Sequence, residues 1–253
     1  MAVLSALHGE EALAAGGLGV LRIAELVGSD KSQVSRTLKI LAEYGLVDRD
    51  PHTRAYRLGW QLFALASRAG DTHLLAAAGP VVKELGRTLG ERSHLSVLQG
   101  TEVLTLLSES PEHAVQAAGW VGRLVPAYCS SSGQALLIDH TREQLHELFG
   151  GVRFVRLGPS TPRSLADLTK RIEVARERGY ATVDEEFEPG LVAAAAPVRD
   201  FRGRIVAALN VSGPKFRFGE RLDEAGAEAA AAARTLGERL GWTPQRPHAT
   251  LRA

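Results

Sequence analysis

Two short segments near the amino terminus, each with apolar residues at helical spacing and separated by one punctuated turn, restrict this chain more than any other feature. In VLRIAELV, residues 20–27, Val20, Ile23, Ala24 and Val27 fall on one side of a helix. Gly28 ends that helix. Ser29 or Asp30 caps the next, because a short side-chain oxygen satisfies the free N–H groups of a first turn. The second helix runs from Lys31 to Tyr44 and stops at Gly45, a residue that tolerates left-handed backbone. Then come Leu46-Val47, a polar turn from Asp48 to Arg54 containing Pro51, and Tyr56-Arg57-Leu58, which gives strand, loop, strand.

On a wheel of about 100° per residue, Val34, Leu38 and Leu41 form the buried stripe of the second helix. Ser32, Ser35, Arg36 and Lys39 gather on the other side, with Lys31 beside them and Gln33 at the edge of the arc. A merely solvated face needs only some polar residues. This one concentrates short hydroxyls and long cations, with no acid before Glu43. Two helices joined at Gly28 and followed by a basic hairpin predict a winged helix-turn-helix. In that module the second helix enters the DNA major groove and the hairpin touches backbone or minor groove. Arg36 and Lys39 suit guanine edges or phosphates, and Gln33 suits adenine. Ser32 and Ser35 suit phosphate contacts or simple capping. Arg54, Tyr56 and Arg57 are candidates on the wing, where Tyr56 equally suits the small core.

The 253-residue chain has a formal net charge of only +1, so a nucleic-acid footprint must be local. Between Lys31 and Arg68 there are seven basic residues and three acidic ones, which puts an excess of positive charge where the motif lies. A composition of 45% hydrophobic and 23% charged residues suits two globular domains. A single cysteine, Cys129, excludes an intramolecular disulfide and fits a reducing compartment. No apolar run approaches the ~20 residues of a membrane span, and Glu10 and Glu11 interrupt the weakly apolar start. A cytoplasmic protein with no membrane partner is expected.

Residues 59–90 read as helical, with Pro80 at a break or in a first turn. HLSVLQGTEVLTLLSES is a hairpin turning at Gln99-Gly100-Thr101, and LVAAAAPVRDFRGRIVAALNVSG is a second, turning from Asp200 to Gly203. SSGQALLID, TREQLHELFG and EAGAEAAAAARTLGERLG are helices. SLADLTKRIEVARERG is another, begun by Ser160-Thr161-Pro162 and ended by Gly179. Antiparallel hairpins covered by helices give an α+β fold. The expected organisation is a DNA-binding domain over 1–58, a linker helix over 59–78, a second domain over 79–243 and a tail over 244–253.

These residues resemble the isocitrate-lyase-regulator (IclR) family of bacterial transcription factors. The amino-terminal match is LRIAELVGSDKSQVSRTLKILAEYGLVDRDPHTRAYRLG. The stronger match runs through RSHLSVLQGTEVLTL, PAYCSSSGQALL and RGYATVDEEFEPGLVAAAAPVRDFRGRIVAALNVSGP. The resemblance implies a linker helix leading to a GAF-like effector-binding domain, and dimers or tetramers on near-palindromic double-stranded operators. It also implies a small organic effector, commonly a carboxylate or aromatic metabolite, and repression of a catabolic operon. It places the effector pocket between the sheet and the PAYCSSSGQA loop, with Cys129, Ser130, Ser131 and Gly133. On the strands it implies Val183, Asp184, Ala193, Asn210 and Ser212. Ala193 stands where a cysteine is often found, and Val183 where some members carry an acid. A roomier, less polar pocket is therefore expected, for a ligand with an aromatic or apolar body and one polar end.

Serines 130–132 before a helix suit an anion or a plain cap. Cys129 lacks a neighbouring base and suits a buried structural thiol better than a nucleophile. Asp184-Glu185-Glu186 reads as a polar strand end, since neighbours on a strand face opposite ways. The histidines lie at no metal-ligand spacing, so neither metal nor cofactor is expected, and His94 is a guess for the pocket. Two alternatives to a ligand-responsive regulator stand beside it. One is a small-molecule enzyme built on the second domain, although G-x-S-x-G, phosphate-cradling and zinc motifs are missing. The other is a dimer that binds DNA constitutively.

Overall fold

The computed structural model describes residues 2–69, 72–110 and 120–243, and the expected tail at 244–253 lies outside them. The chain forms two compact units, Met1–Thr72 and His73–Ala253.

In the first unit the helices are α1 (Ala2–His8), α2 (Glu10–Ala15), α3 (Val20–Val27) and α4 (Lys31–Glu43). The strands β1 (Val47–Arg49) and β2 (Tyr56–Leu58) follow, and then α5 (Trp60–Ala69). Gly28 takes φ 63°, in the left-handed region, and its N–H closes the last turn of α3 on the Ala24 and Glu25 carbonyls. The carboxylate of Asp30 then accepts from the Ser32 N–H at 2.5 Å and starts α4. Val34 and Leu38 of α4 are buried with Leu7, Ile23, Val47 and Tyr56 in one small core. Leu18 exchanges both backbone hydrogen bonds with Tyr56, which anchors the hairpin to the turn before α3. This is a winged helix-turn-helix.

In the second unit α6 (Thr72–Leu89) leads into an antiparallel sheet ordered β5-β4-β3-β8-β7-β6. Its strands are β3 (Arg92–Gln99), β4 (Glu102–Glu109), β5 (Leu124–Pro126), β6 (Ala181–Asp184), β7 (Leu191–Arg199) and β8 (Ile205–Pro214). The remaining helices are α7 (Ser131–Leu136), α8 (Arg142–Phe149), α9 (Leu165–Arg178), α10 (Lys215–Phe218) and α11 (Leu222–Arg239). Alternation along the strands sorts two cores. Val192, Ala194, Ala196 and Val198 of β7 meet α6 and α11 on one face, where Ala225, Ala229, Ala233 and Leu236 recur at helical spacing. Ala195 of β7 and Ala208 of β8 face α7, α8 and α9 on the other. The fold is α+β, as the sequence predicts.

Two boundaries differ from expectation. Pro80 lies inside α6, which runs unbroken across it. Leu74, Ala78, Val82 and Leu85 bury one stripe of that helix in the core of the second unit, so residues 73–78 belong to that unit and not to a separate linker. Helix α9 starts at Ser164, whose hydroxyl accepts from the Asp167 N–H, and not at Ser160-Thr161-Pro162. Thr161 instead accepts from the Gly158 N–H at 2.8 Å and donates to the Glu186 carbonyl at 2.6 Å, tying the preceding loop to the sheet.

Candidate functional site

The outer face of α4 carries what the wheel predicts. Lys31, Ser32, Gln33, Ser35, Arg36 and Lys39 are all exposed, and Val34 and Leu38 fix the helix by its opposite side. Among the described residues, Lys31, Arg36 and Lys39 form no ion pair. Arg36 makes one long hydrogen bond, from Nε to the Ser32 carbonyl at 3.4 Å. Arg22 on α3 shows the contrast, because Glu11 and Glu25 hold its guanidinium at 2.7 and 2.8 Å. Ile40, 54% exposed, lies in the same arc and was missed. An exposed apolar residue among cations was its signal, since such a group suits a thymine methyl.

On the wing, Asp50 accepts from the His52 and Thr53 N–H groups, and these donors, Thr53 foremost, hold its carboxyl below the usual range. Arg54 is exposed with φ 59° at the tip. Arg57 is exposed and lies 3.9 Å from Asp48 across the hairpin. Tyr56 departs from its candidate role on DNA. It is buried in the small core, with Arg49 stacked 5.3 Å from its ring centre.

A cavity lies on the α7 side of the larger sheet. Strands β3 and β4 contribute His94, Ser96, Val103 and Thr105 to its wall, and β5 adds Val125. Val183, Ala193, Asn210 and Ser212 come from β6, β7 and β8, and Ser130, Ser131 and Ser132 from the start of α7. Trp120 and Phe187, from connections outside the sheet, complete it. The Asn210 amide donates to the Ser131 hydroxyl at 2.6 Å, which joins sheet to loop. Ser130 caps α7 through the Gly133 N–H. Nε2 of His94 lies 3.4 Å from the Ser212 hydroxyl, while Nδ1 is buried without a hydrogen-bond partner among the described residues. Burial, with Arg92 nearby, pulls that imidazole down to about 3, so it is neutral near pH 7.

Three expected contributors lie elsewhere. Cys129 is buried away from the cavity, its thiol reaches the Pro126 carbonyl at 3.7 Å, and burial pushes it up to about 12. That is an inert structural thiol. Gly133 packs so closely on Ala127 that a Cβ would overlap the Ala127 carbonyl, so its part is to let the loop approach and not to line the space. Asp184 alternates with Val183, points outward and pairs with Lys215 at 2.7 Å. The pocket's wall is largely apolar, but the expected roominess is not found. Its free space is about 60 Å³. The rings of Trp120 and Phe187, 6.4 Å apart, flank its mouth, and on the sheet side Ser96, Thr105, Asn210 and Ser212 are matched by Val103, Val125, Val183 and Ala193.

Beside the cavity, Glu186 is buried. It accepts from the Gln134 amide of α7 at 2.7 Å and from Arg171 Nε of α9 at 2.8 Å. Burial pushes its carboxyl up to about 7, against the pull of Arg171 and Gln134. Gln134 follows the serine loop and Phe187 lines the cavity, so this carboxylate braces the site from behind. Reading Glu186 as a plain polar strand end missed this. Among the described residues, no group of three or more His, Cys, Asp or Glu could hold a metal ion, and no helix is long and apolar enough to cross a membrane.

Known proteins fit this arrangement. The family profile for the bacterial transcriptional regulator IclR C-terminal region matches residues 66–238. The HTH-type transcriptional regulator KdgR of Escherichia coli K12 is 31% identical over 227 residues, covering 89% of this chain and 86% of the relative. An IclR transcriptional regulator from Alicyclobacillus acidocaldarius superposes with a TM-score of 0.78 at 24% identity, over 94% of this chain and 96% of that one. An IclR homologue from Microbacterium hydrocarbonoxydans, solved with 4-hydroxybenzoate, superposes at 0.77 with 25% identity, over 88% and 91%. With a winged helix-turn-helix in one unit, a partly open cavity in the other and relatives that match both, the chain belongs to the IclR family of bacterial transcriptional regulators.

Proposed function

We propose that this regulator is a repressor of a catabolic operon, working in the cytoplasm as a dimer or tetramer on a near-palindromic operator. Helix α4 enters the major groove, where Arg36, and Gln33 at the edge of the face, meet base edges. Lys31, Ser32, Ser35 and Lys39 meet phosphates, and Arg54 and Arg57 carry the wing onto the backbone. One observation carries this reading above the others. Arg36 and Lys39 stand in solvent with no acidic partner among the described residues, on a helix whose other side is fixed in a core. Cations left uncommitted are free to release counterions from DNA.

The effector is an aromatic acid with a polar end, taken up where Ser130, Ser131, Asn210 and Ser212 converge and where Val183 and Ala193 give apolar wall. A relative solved with 4-hydroxybenzoate supports that class. Relatives named as transcriptional regulators, and a Cys129 thiol that burial keeps protonated, favour a binding protein over an enzyme. The test is a gel shift on the gene's own upstream region, with benzoates and with glyoxylate or pyruvate, alongside calorimetry of the same ligands. Release of DNA by a benzoate supports the reading. Preference for a two- or three-carbon acid sinks the aromatic class, and indifference to every ligand leaves a constitutive binder.

A further inference from the structure

Trp120 is in contact with a cavity group on one hand and an exposed cation on the other. Its ring centre lies 5.4 Å from that of His94, in the cavity wall. The guanidinium carbon of Arg123 lies 4.6 Å from the indole and 5.8 Å from the ring of Phe187. Arg123 is exposed and has no acidic partner among the described residues, so stacking is what engages its charge. The indole of Trp120 makes no hydrogen bond among the described residues, and the residue is half-buried. Beside it, His94 buries a ring nitrogen with no hydrogen-bond partner among the described residues.

These facts bear on how an aromatic acid could be held. The free space of about 60 Å³ is well short of the ~150 Å³ of an apolar protein cavity that takes up benzene. Something must give way. The sheet walls are buried and hydrogen-bonded through their strands, while the half-buried Trp120 side chain is held by ring contacts and by packing on the core beside it, with no side-chain hydrogen bond among the described residues. Charge poses the second problem. The lining contains no charged side chain, and His94 is neutral, so a carboxylate enclosed there would lack a counter-charge at large cost.

Both problems have one answer. We infer that the indole of Trp120 stands in the subsite that the effector's aromatic ring takes, and that Arg123, released from the indole, pairs with the effector carboxylate. The opposite, uncharged end of the effector then reaches the unsatisfied nitrogen of His94, which neutral imidazole serves by donating or accepting according to tautomer. This rests on the reading of the cavity as the effector site, and it assigns Trp120 as an internal competitor and Arg123 as the determinant of acid over amide.

The experiment is calorimetry on the full chain with 4-hydroxybenzoate and its neutral counterpart 4-hydroxybenzamide. Removing a competitor that fills the subsite nine-tenths of the time raises apparent affinity about tenfold, so Trp120→Ala tightens the acid by about that factor. Trp120→Phe, a smaller ring, falls between. Arg123→Met weakens the acid about tenfold, the loss of one charge-assisted pair, and changes the amide less than about twofold. If Trp120→Ala leaves affinity unchanged or weakens it, the indole is a wall and the inference fails. Equal losses for acid and amide in Arg123→Met likewise overturn the carboxylate pairing. Absence of binding in the parent and in Trp120→Ala alike removes the aromatic-acid reading itself, a different failure from either of these.

Discussion

On α4, Arg36 and Lys39 extend into solvent with no acid to meet them among the described residues, whereas the cavity beside α7 is walled by hydroxyls, one amide, rings and aliphatic groups without one charged side chain. Each arrangement follows from where the ligand's own charge sits. Phosphates stay at a wet surface, so hydrated cations meet them without a burial cost, and a guanidinium already held by a carboxylate, as Arg22 is, would be of less use. Inside a protein an unpaired charge is costly, so selectivity falls to neutral dipoles fixed by packing. The first surface tolerates change and the second is built with little slack.

That contrast is sharpest for the smallest substitution. Gly133→Ala adds one methyl group where the Ala127 carbonyl stands, and we expect the second unit to lose about 3 kcal/mol, from strain of the kind seen in overpacked cores. Ser35→Ala, on exposed α4, should stay within about 0.5 kcal/mol in the same urea titration. Similar midpoints for both variants would break the comparison.

Next in size is DNA affinity. Arg36→Ala should cost about 1–3 kcal/mol on the operator and less on random DNA, with stability unchanged. Lys39→Ala should weaken both DNAs alike and lower the salt slope by about 1, if it meets phosphate. Fluorescence anisotropy across a salt series decides, and identical profiles for the two variants would leave their roles undivided.

The buried carboxylate gives a smaller, pH-dependent effect. Glu186 in the folded protein is raised from 4.5 to about 7, so the folded state holds its proton more tightly than the unfolded chain. Its stabilising share is complete below about pH 4.5 and fades as pH rises through 7. Glu186→Gln lacks this titration. Between pH 4.5 and 8 its stability relative to the parent should therefore improve by about 1–3 kcal/mol, read from denaturation at each pH. A constant difference across the series would mean that the carboxylate ionises as freely folded as unfolded. Smallest of all, Arg57→Ala removes an exposed cross-strand pair with Asp48, and thermal melting should change by no more than about 0.5 kcal/mol.

The recognition helix was legible because all its information is local. Periodicity puts Val34 and Leu38 inside and Arg36 and Lys39 outside, and Gly28 and Asp30 mark where the helices meet. The cavity was legible only in part, because strands far apart in sequence build it. The resemblance supplied Asn210, Ser212, Ser130 and Ser131, all of which line it. Trp120 and Phe187 lie in connections, where no period indicates a direction, and they set its size. Strand alternation could have excluded Asp184 once Val183 was placed inward. Cys129 and Gly133 show the limit of reading a loop as a unit, since neighbours of lining residues spend their own atoms on packing. The α6 boundary failed for a related reason. Pro80 looked like an end, but the burial of Leu74 and Ala78 holds the helix together across it.

The alanines of α11 have a consequence for how this protein can vary. Ala225, Ala229 and Ala233 have no rotamers to freeze, so seating the helix on β7 costs no side-chain entropy. The same economy leaves no pliable atoms at the seam. A larger residue there could not fold aside and would lever the closing helix off the sheet, so drift in this segment should be confined to its outward-facing positions.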